Sequence, residues 1–322
     1  MRLKLLAALA IAGCAWLGLN ANALAQDYPN RTVKIVIAFS PSGAIDVLGR
    51  LIAQHLSEMW GQQVIVENRP GGSGNIGAAA ASQAAPDGYT LHFGAQTLAV
   101  NVTLSPTTAF DPVNSFDPIM LAATAQEVFT VAVQTPFNSI KDVIDYAKAN
   151  PGKLNYGSVG IGSSAHLATA LFSDVVGIKM QHVPYSQMSQ GITDVLTGRT
   201  EVWFTTFSGP LPHIKSGKIR GFAVTGPKRA AQLPELPTFT ELGIKMGEES
   251  SWYAFFAPKG TPKAIIDKVN RDLEIVLAKP DMKEKEALLG YRYIGGPPER
   301  LASFLKSEIA KWDDLAKKGA FK

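Results

Sequence analysis

Cysteine is almost absent from these 322 residues: Cys14 is the only one, and it lies within the first 25 positions. A chain without thiols beyond that point forms no disulfide, no zinc–thiolate site and no cysteine nucleophile. Charge is sparse too, at 18% of residues. Setting aside the first 25 positions removes Arg2 and Lys4 from 31 basic residues, leaving 29 against 27 acidic ones, a balance of +2. With no long Lys/Arg run, this excludes nucleic acid as the expected partner. After residue 25 no apolar run is long enough to cross a bilayer. The histidines (His55, His92, His166, His182, His213) lack metal-type spacing, so no metal is expected.

The first 25 residues read as an export signal. Arg2 and Lys4 precede an apolar run over 5–19, and Ala23-Leu24-Ala25 fits a cleavage site before Gln26. Ile11-Ala12-Gly13-Cys14 resembles a lipoprotein box, but the apolar run continues through 15–19 where a polar tether belongs. A cleaved, soluble exported protein is therefore preferred over a lipoprotein anchored at Cys14.

Residues 34–56 organise the remainder. A buried strand over 35–39 leads through Ser40-Pro41-Ser42-Gly43-Ala44 into a helix with Ile45, Leu48, Ile52 and Leu56 on one face. A helix start carries about half a positive charge and unpaired amides, so it holds an anion without Arg or Lys. Asp46, in that first turn, either complements the dipole or orients a ligand donor beside the anion. Strands over 63–67 and 89–93, a glycine-rich loop over 68–77 and a helix over 78–85 complete a βαβαβ unit. Residues 116–133 carry the chain onward, and a capped helix follows over 139–149.

The device then recurs: strand 154–158, a Gly/Ser turn over 159–164, and a helix over 166–175 with Leu167, Leu171 and Val175 in register. Strands over 180–184, 202–206 and 221–225 and helices over 190–196 and 210–216 follow. A strand over 251–256 returns to the first unit, with Phe255 and Phe256 read as core. Thr261 is read as the cap of a helix running to 278; one further helix stops at Gly290 and a last one covers 299–318.

Several catalytic patterns fail on inspection. Gly160-Ile161-Gly162-Ser163-Ser164-Ala165 matches G-x-G-x-x-A, yet the next strand ends His182-Val183-Pro184-Tyr185 without the ribose-binding carboxylate. No cofactor is expected. No serine sits in a G-x-S-x-G elbow, since Ser73 has Asn75 and Ser163 has Ala165 at the second glycine. A serine hydrolase using Ser163 or Ser164 with His166 remains the rival in another class. His166 either touches a ligand or caps its own helix.

Taken in order, Val66-Glu67-Asn68-Arg69-Pro70-Gly71, Asn75-Ile76-Gly77, Pro86-Asp87-Gly88-Tyr89-Thr90, Tyr156-Gly157-Ser158, Gly162-Ser163-Ser164-Ala165-His166-Leu167, Val183-Pro184-Tyr185 and Trp252-Tyr253 make the chain resemble the substrate-binding proteins of tripartite tricarboxylate transporters, the Bug family. The resemblance implies an α/β, two-lobed, type II periplasmic binding protein-like fold. Each lobe would be a mixed, mainly parallel sheet flanked by helices, with the ligand cleft between lobes. Lobe 1 would span 26–125 plus 250–322, and lobe 2 would span 126–249. It implies a periplasmic monomer, not an enzyme, that captures a small di- or tricarboxylate, aliphatic or aromatic, and delivers it to membrane permease subunits. A carboxylate sensor feeding a membrane kinase would use the same fold.

One carboxylate is then expected at Ser40, Ser42, Gly43, Ala44 and Asp46, another at Ser158, Gly162, Ser163, Ser164 and His166. Asn75, Gln96, Tyr185, Gln190 and Thr205 complete the candidate set. Two departures bear on the ligand: Ser42 stands where the family's turn has glycine, and Ser186-Gln187-Met188 follows Tyr185 where it often has Lys-Gly.

Overall fold

The computed structural model describes residues 28–41, 43–105, 109–207, 209–246 and 251–319. The expected signal segment with Cys14, and the turn residue Ser42, lie outside the described residues. The opening unit forms as its pattern dictates. β1 (Val33–Ile37) is largely buried, and α1 (Ala44–Trp60) buries Ile45, Leu48, Ile52 and Leu56 in the same cluster. Gly61, at φ 62, closes that helix in the left-handed conformation that glycine adopts without strain.

β2 (Val64–Asn68) leads through a 3-10 turn at Gly72–Gly74 into α2 (Asn75–Ser82), which starts three residues before the alanine run. After β3 (Thr90–Ala95) comes α3 (Thr97–Leu104), a helix the sequence reading lacks. Its β-branched Thr97, Val100, Val102 and Thr103 disfavour helix locally. Burial of Leu98, Ala99 and Val100 in a shared apolar cluster overrides that preference.

The segment 116–133 resolves into two strands, β4 (Phe116–Ala125) and β5 (Glu127–Ala132), broken at Gln126. α4 (Ile140–Ala149) opens on a capping box between Ser139 and Asp142. Then follow β6 (Asn155–Ser158), α5 (Ser164–Val176), β7 (Gln181–Pro184), α6 (Met188–Leu196), β8 (Val202–Thr206), α7 (Leu211–Lys215) and β9 (Ile219–Val224). The chain returns in β10 (Ser251–Pro258) and ends with α8 (Lys263–Leu277), α9 (Pro280–Leu289), β11 (Tyr291–Tyr293) and α10 (Pro298–Lys317). Thr261 does not cap α8. Its hydroxyl donates to the Pro258 carbonyl at 2.7 Å, and Pro262 holds the N-cap position.

Two mixed sheets result, one per lobe. The first runs β11-β4-β10-β3-β1-β2 and the second β7-β6-β8-β5-β9. β1, β2 and β3 pair in parallel, as do β6, β7 and β8, so their following helices all start at the same sheet edge. The crossing strands β5 and β10 pair antiparallel with their neighbours, which puts their first residues at those same edges. Phe255 and Phe256 are core; Phe255 stacks on Phe93 at 4.3 Å.

The lobes also touch. Leu167 on α5, fully buried, joins a first-lobe cluster with Trp252, Leu301 and Trp312. Glu308 on α10 steadies that cluster, accepting the indole N–H of Trp252 at 3.0 Å and of Trp312 at 3.1 Å.

In the second lobe, Trp203 fills the space two glycines leave. A methyl group on Gly157 would lie 2.3 Å from its ring, and one on Gly191 2.1 Å from it. Gly157→Ala is expected to cost about 1–3 kcal/mol through overpacking. In a Trp203→Phe background the cost should shrink, measured as the coupling in a double-mutant cycle of urea melts. Zero coupling would mean the indole is not the obstacle.

Candidate functional site

The first-lobe edge gathers three helix starts. α1, α2 and α3 have Gly43, Gly74 and Gln96 at their N-caps, and none of these makes a side-chain capping hydrogen bond. The first amides of a helix have no acceptor inside it; in α2 two of them are taken, Asn75 N–H by the Gly72 carbonyl and Ile76 N–H by the Gly71 carbonyl at 3.4 Å. Asp46, almost fully buried, accepts from Arg50 Nε at 3.0 Å and from Asn68 Nδ2 at 2.8 Å. Asn68 Nδ2 also donates to the Phe39 carbonyl at 3.0 Å, so this network braces the turn before α1 against β2. Ser40 is exposed beside it.

The glycine-rich loop is shaped by left-handed backbone at Gly71, Gly72, Ser73 and Gly74, Ser73 among them at φ 54. Asn101 of α3 holds it, donating from Nδ2 to the Ser73 carbonyl at 2.9 Å and to Asn75 Oδ1 at 2.8 Å. Gly77 sits so close to β1 that a methyl group there would lie 2.7 Å from Ala38 Cα. Gln96 is 4% exposed, and its Oε1 has no hydrogen-bond partner.

Across the gap lies the second-lobe turn. Gly162, at φ 80, faces the first lobe directly: a methyl group there would lie 3.4 Å from Asn101 Oδ1 and 3.9 Å from Ser73 and Thr97. The structure thus sets this turn opposite Ser73, Thr97 and Asn101. A narrow recess lined by Phe39, Asn75, His92, Thr97, Asn101 and Phe110 lies on the first-lobe side, with no room for a water molecule.

Much of the turn's polar capacity is used internally. Ser163 caps α5: its hydroxyl donates to the Gly160 carbonyl at 2.7 Å and accepts the His166 amide at 3.4 Å. His166 is attached to its own turn through Nδ1, which accepts the Gly162 amide at 3.2 Å, and this leaves Nε2 for a second partner. The neutral ring therefore carries its proton on Nε2. That geometry does not assemble Ser163 and His166 as nucleophile and base. Ser158 accepts the Gly160 amide at 3.0 Å and lies 2.6 Å from His182 Nε2. The amides of Ser164 and Ala165 open the helix and face no carbonyl one turn back.

The remaining candidates divide. Thr205 is buried on β8 opposite Val128. The Tyr185 phenol donates to Asp194 at 3.0 Å and meets Thr200, so it braces the second lobe. Gln190 is exposed on α6. Sequence reasoning missed Thr97 and Asn101, which sit on the unforeseen helix, and His182, which stacks on Tyr156 at 4.9 Å and lies tilted against His166 at 4.6 Å. It also missed Glu127, whose one signal was a lone carboxylate inside the apolar run 118–133.

Burial sets the protonation of these groups. His166 is held near 4, chiefly by burial and further by neighbouring His182, itself lowered by burial. His92, fully buried with Nδ1 3.0 Å from the Val36 carbonyl, is also lowered to about 4 by burial. Glu127 goes the other way: burial pushes its carboxyl well above the usual range, against weaker opposition from Ser164, Ser251 and Lys311. Among the described residues no cluster of three His, Cys, Asp or Glu could hold a metal, and no helix is long and apolar enough to cross a membrane.

Comparisons with known proteins converge. Residues 48–320 match the family model described as the tripartite tricarboxylate transporter family receptor. BugT of Bordetella pertussis is 31% identical over 297 residues, covering 92% of this chain and 91% of that protein. A Rhodopseudomonas palustris protein solved with adipate is 34% identical with a TM-score of 0.83, covering 90% of this chain and 98% of its own. MatC from Rhodopseudomonas palustris, solved with malate, is 26% identical with a TM-score of 0.81, covering 89% and 99%.

The buried histidines make stability fall in acid. A folded value near 4 against about 6.5 unfolded means the unfolded chain binds more protons between those values. His92 alone should therefore remove about 3 kcal/mol as pH drops from about 6.5 to below 4. Urea melts across that window should show a shallower pH slope for His92→Phe than for wild type; equal slopes would refute the assignment. Glu127 acts oppositely, its contribution fading as pH rises past the ordinary glutamate value.

Proposed function

We propose, from the premise that the chain belongs to the tripartite tricarboxylate transporter family of receptors, that it captures a small dicarboxylate between its lobes and hands it to a membrane permease in the periplasm. One observation carries this reading: a methyl group on Gly162, in the turn that opens α5, would come within van der Waals contact of Ser73, Thr97 and Asn101 on the opposite lobe. Helix starts then face one gap from both sides, α5 with its cap at Ser163 and the amides of Ser164 and Ala165 ahead of it. Each contributes about 0.3–1 kcal/mol toward an anion, and each charge-assisted hydrogen bond about 1.5–3 kcal/mol. A micromolar ligand needs about −8 kcal/mol, so both lobes must engage it.

In the first lobe the ligand meets the starts of α1, α2 and α3, from Ser40 to Ala44 and at Asn75 and Gln96. In the second lobe it meets the amides of Ser164 and Ala165, with His166 Nε2–H and His182 beside them. No Lys or Arg is required at either end. The recess is too narrow as it stands, so capture begins with the lobes parted and ends with them closed. The relatives solved with adipate and malate make aliphatic dicarboxylates the first compounds to try.

A melting screen with adipate, malate, succinate and citrate tests the reading. A ligand at 100 times its Kd should add about 2.7 kcal/mol of stability. Gly162→Ala should weaken that ligand at least tenfold, because a methyl group at φ 80 is strained by about 1–2 kcal/mol and occupies the space facing Asn101. Failure of every acid to raise the melting temperature of folded protein at millimolar concentration would end the proposal.

The unpartnered Gln96 oxygen adds a finer expectation. A ligand hydroxyl would satisfy it, so malate should bind more tightly than succinate by about 1 kcal/mol. Calorimetry on Gln96→Leu should show the two acids level; a preserved preference would place the hydroxyl elsewhere.

A further inference from the structure

The two strands that join the lobes meet at one point. β4 ends at Ala125, paired with Ser251, the first residue of β10; two residues on, Glu127 begins β5. Gln126 fastens the junction, donating from Nε2 to the Thr225 and Lys228 carbonyls at 2.8 Å each, while its amide donates to the Gly290 carbonyl. At its centre is Glu127, 0% exposed. Its Oε1 accepts from the Ser251 hydroxyl at 3.5 Å, and the Ser164 side chain is a further polar neighbour that favours its ionised form. Ser251 belongs to the returning strand of the first lobe. Ser164 is the first residue of α5, immediately after the turn that faces the gap, and one turn before Leu167 enters the first-lobe cluster.

We infer that Glu127 is a hinge latch: its carboxyl, shared by Ser164 and Ser251, ties the second-lobe turn to the returning strand and so holds the lobes in their closed arrangement. It is a positioning residue and does not touch the ligand. When the lobes part, the turn carrying Ser164 must swing away from a strand that stays with the first sheet. The bond across Glu127 is a side-chain polar link on that path, beside the Gln126 bonds, and Leu167 supplies an apolar one. A buried carboxyl suits the task because one side chain serves two hydroxyls that approach from different lobes. Placed immediately after the break at Gln126, it stands where a small rotation changes the distance between them.

The role rests on the two-lobe capture reading, but one arm of its test needs no ligand. Chains carrying Cys14→Ser, with cysteines introduced at exposed Gln54 and Lys153, allow one fluorophore on each lobe. Single-molecule energy transfer then reports interlobe distance in the free protein and with malate or adipate. Glu127→Gln retains two hydrogen-bonding positions and should match wild type in both states. Glu127→Met fills the space without those bonds. It should shift the free protein to longer distances and weaken the dicarboxylate at least tenfold, with circular dichroism unchanged. Ser251→Ala removes one arm without touching Glu127 and should move the distance in the same direction, which keeps the test alive should Met fail to fold.

Wild-type distances in both Met and Ala variants would overturn the latch, as would a Gln variant that opens as far as Met. A wild-type protein that binds no dicarboxylate, yet opens on Glu127→Met, would remove the capture reading and leave the latch standing.

Discussion

The first turn of any α-helix leaves amide hydrogens with no acceptor inside the helix. Parallel strands place those turns at one edge of a sheet, and here two such edges face each other. Everything else in the molecule serves that arrangement. Asp46, Arg50 and Asn68 brace the loop before α1, Asn101 ties the glycine loop to α3, and Ser163 with His166 sets the turn before α5. The polar atoms most visible in the sequence are largely those that hold the backbone in place, and the backbone is left to face the gap.

That division would let the proposed anion site work without a buried cation. A buried Lys or Arg would pull its ligand too firmly and would itself need compensation when the site is empty. Backbone dipoles need no such partner. The same economy governs the neighbouring titratable groups. Burial keeps His92 and His166 uncharged near neutral pH and pushes the Glu127 carboxyl toward its neutral form.

The sequence revealed the fold better than the site. Strong periodicity in α1, α5 and the flanking strands made two α/β units legible, and the ordered motifs identified the family. α3 escaped because Thr97, Val100, Val102 and Thr103 are poor local helix formers, and only burial forces the helix. With it escaped Thr97 and Asn101, which face Gly162. Tyr185 and Ser163 stand out in the sequence by their place beside the turn. Where their hydroxyls point depends on Asp194, Thr200 and the Gly160 carbonyl, which sequence distance does not disclose. Glu127 and Ser251 lie 124 positions apart and meet only because the chain crosses between sheets twice at one spot.

Trp252 gives that crossing an optical side. Its indole shares a cluster with Leu167 of the other lobe, while its N–H rests on the Glu308 carboxylate. Indole emission depends on the polarity and charge around the ring, and both change if Leu167 withdraws and water enters. The protein thus carries an intrinsic fluorophore at the seam, so the parting of its halves leaves a spectral trace without any added dye.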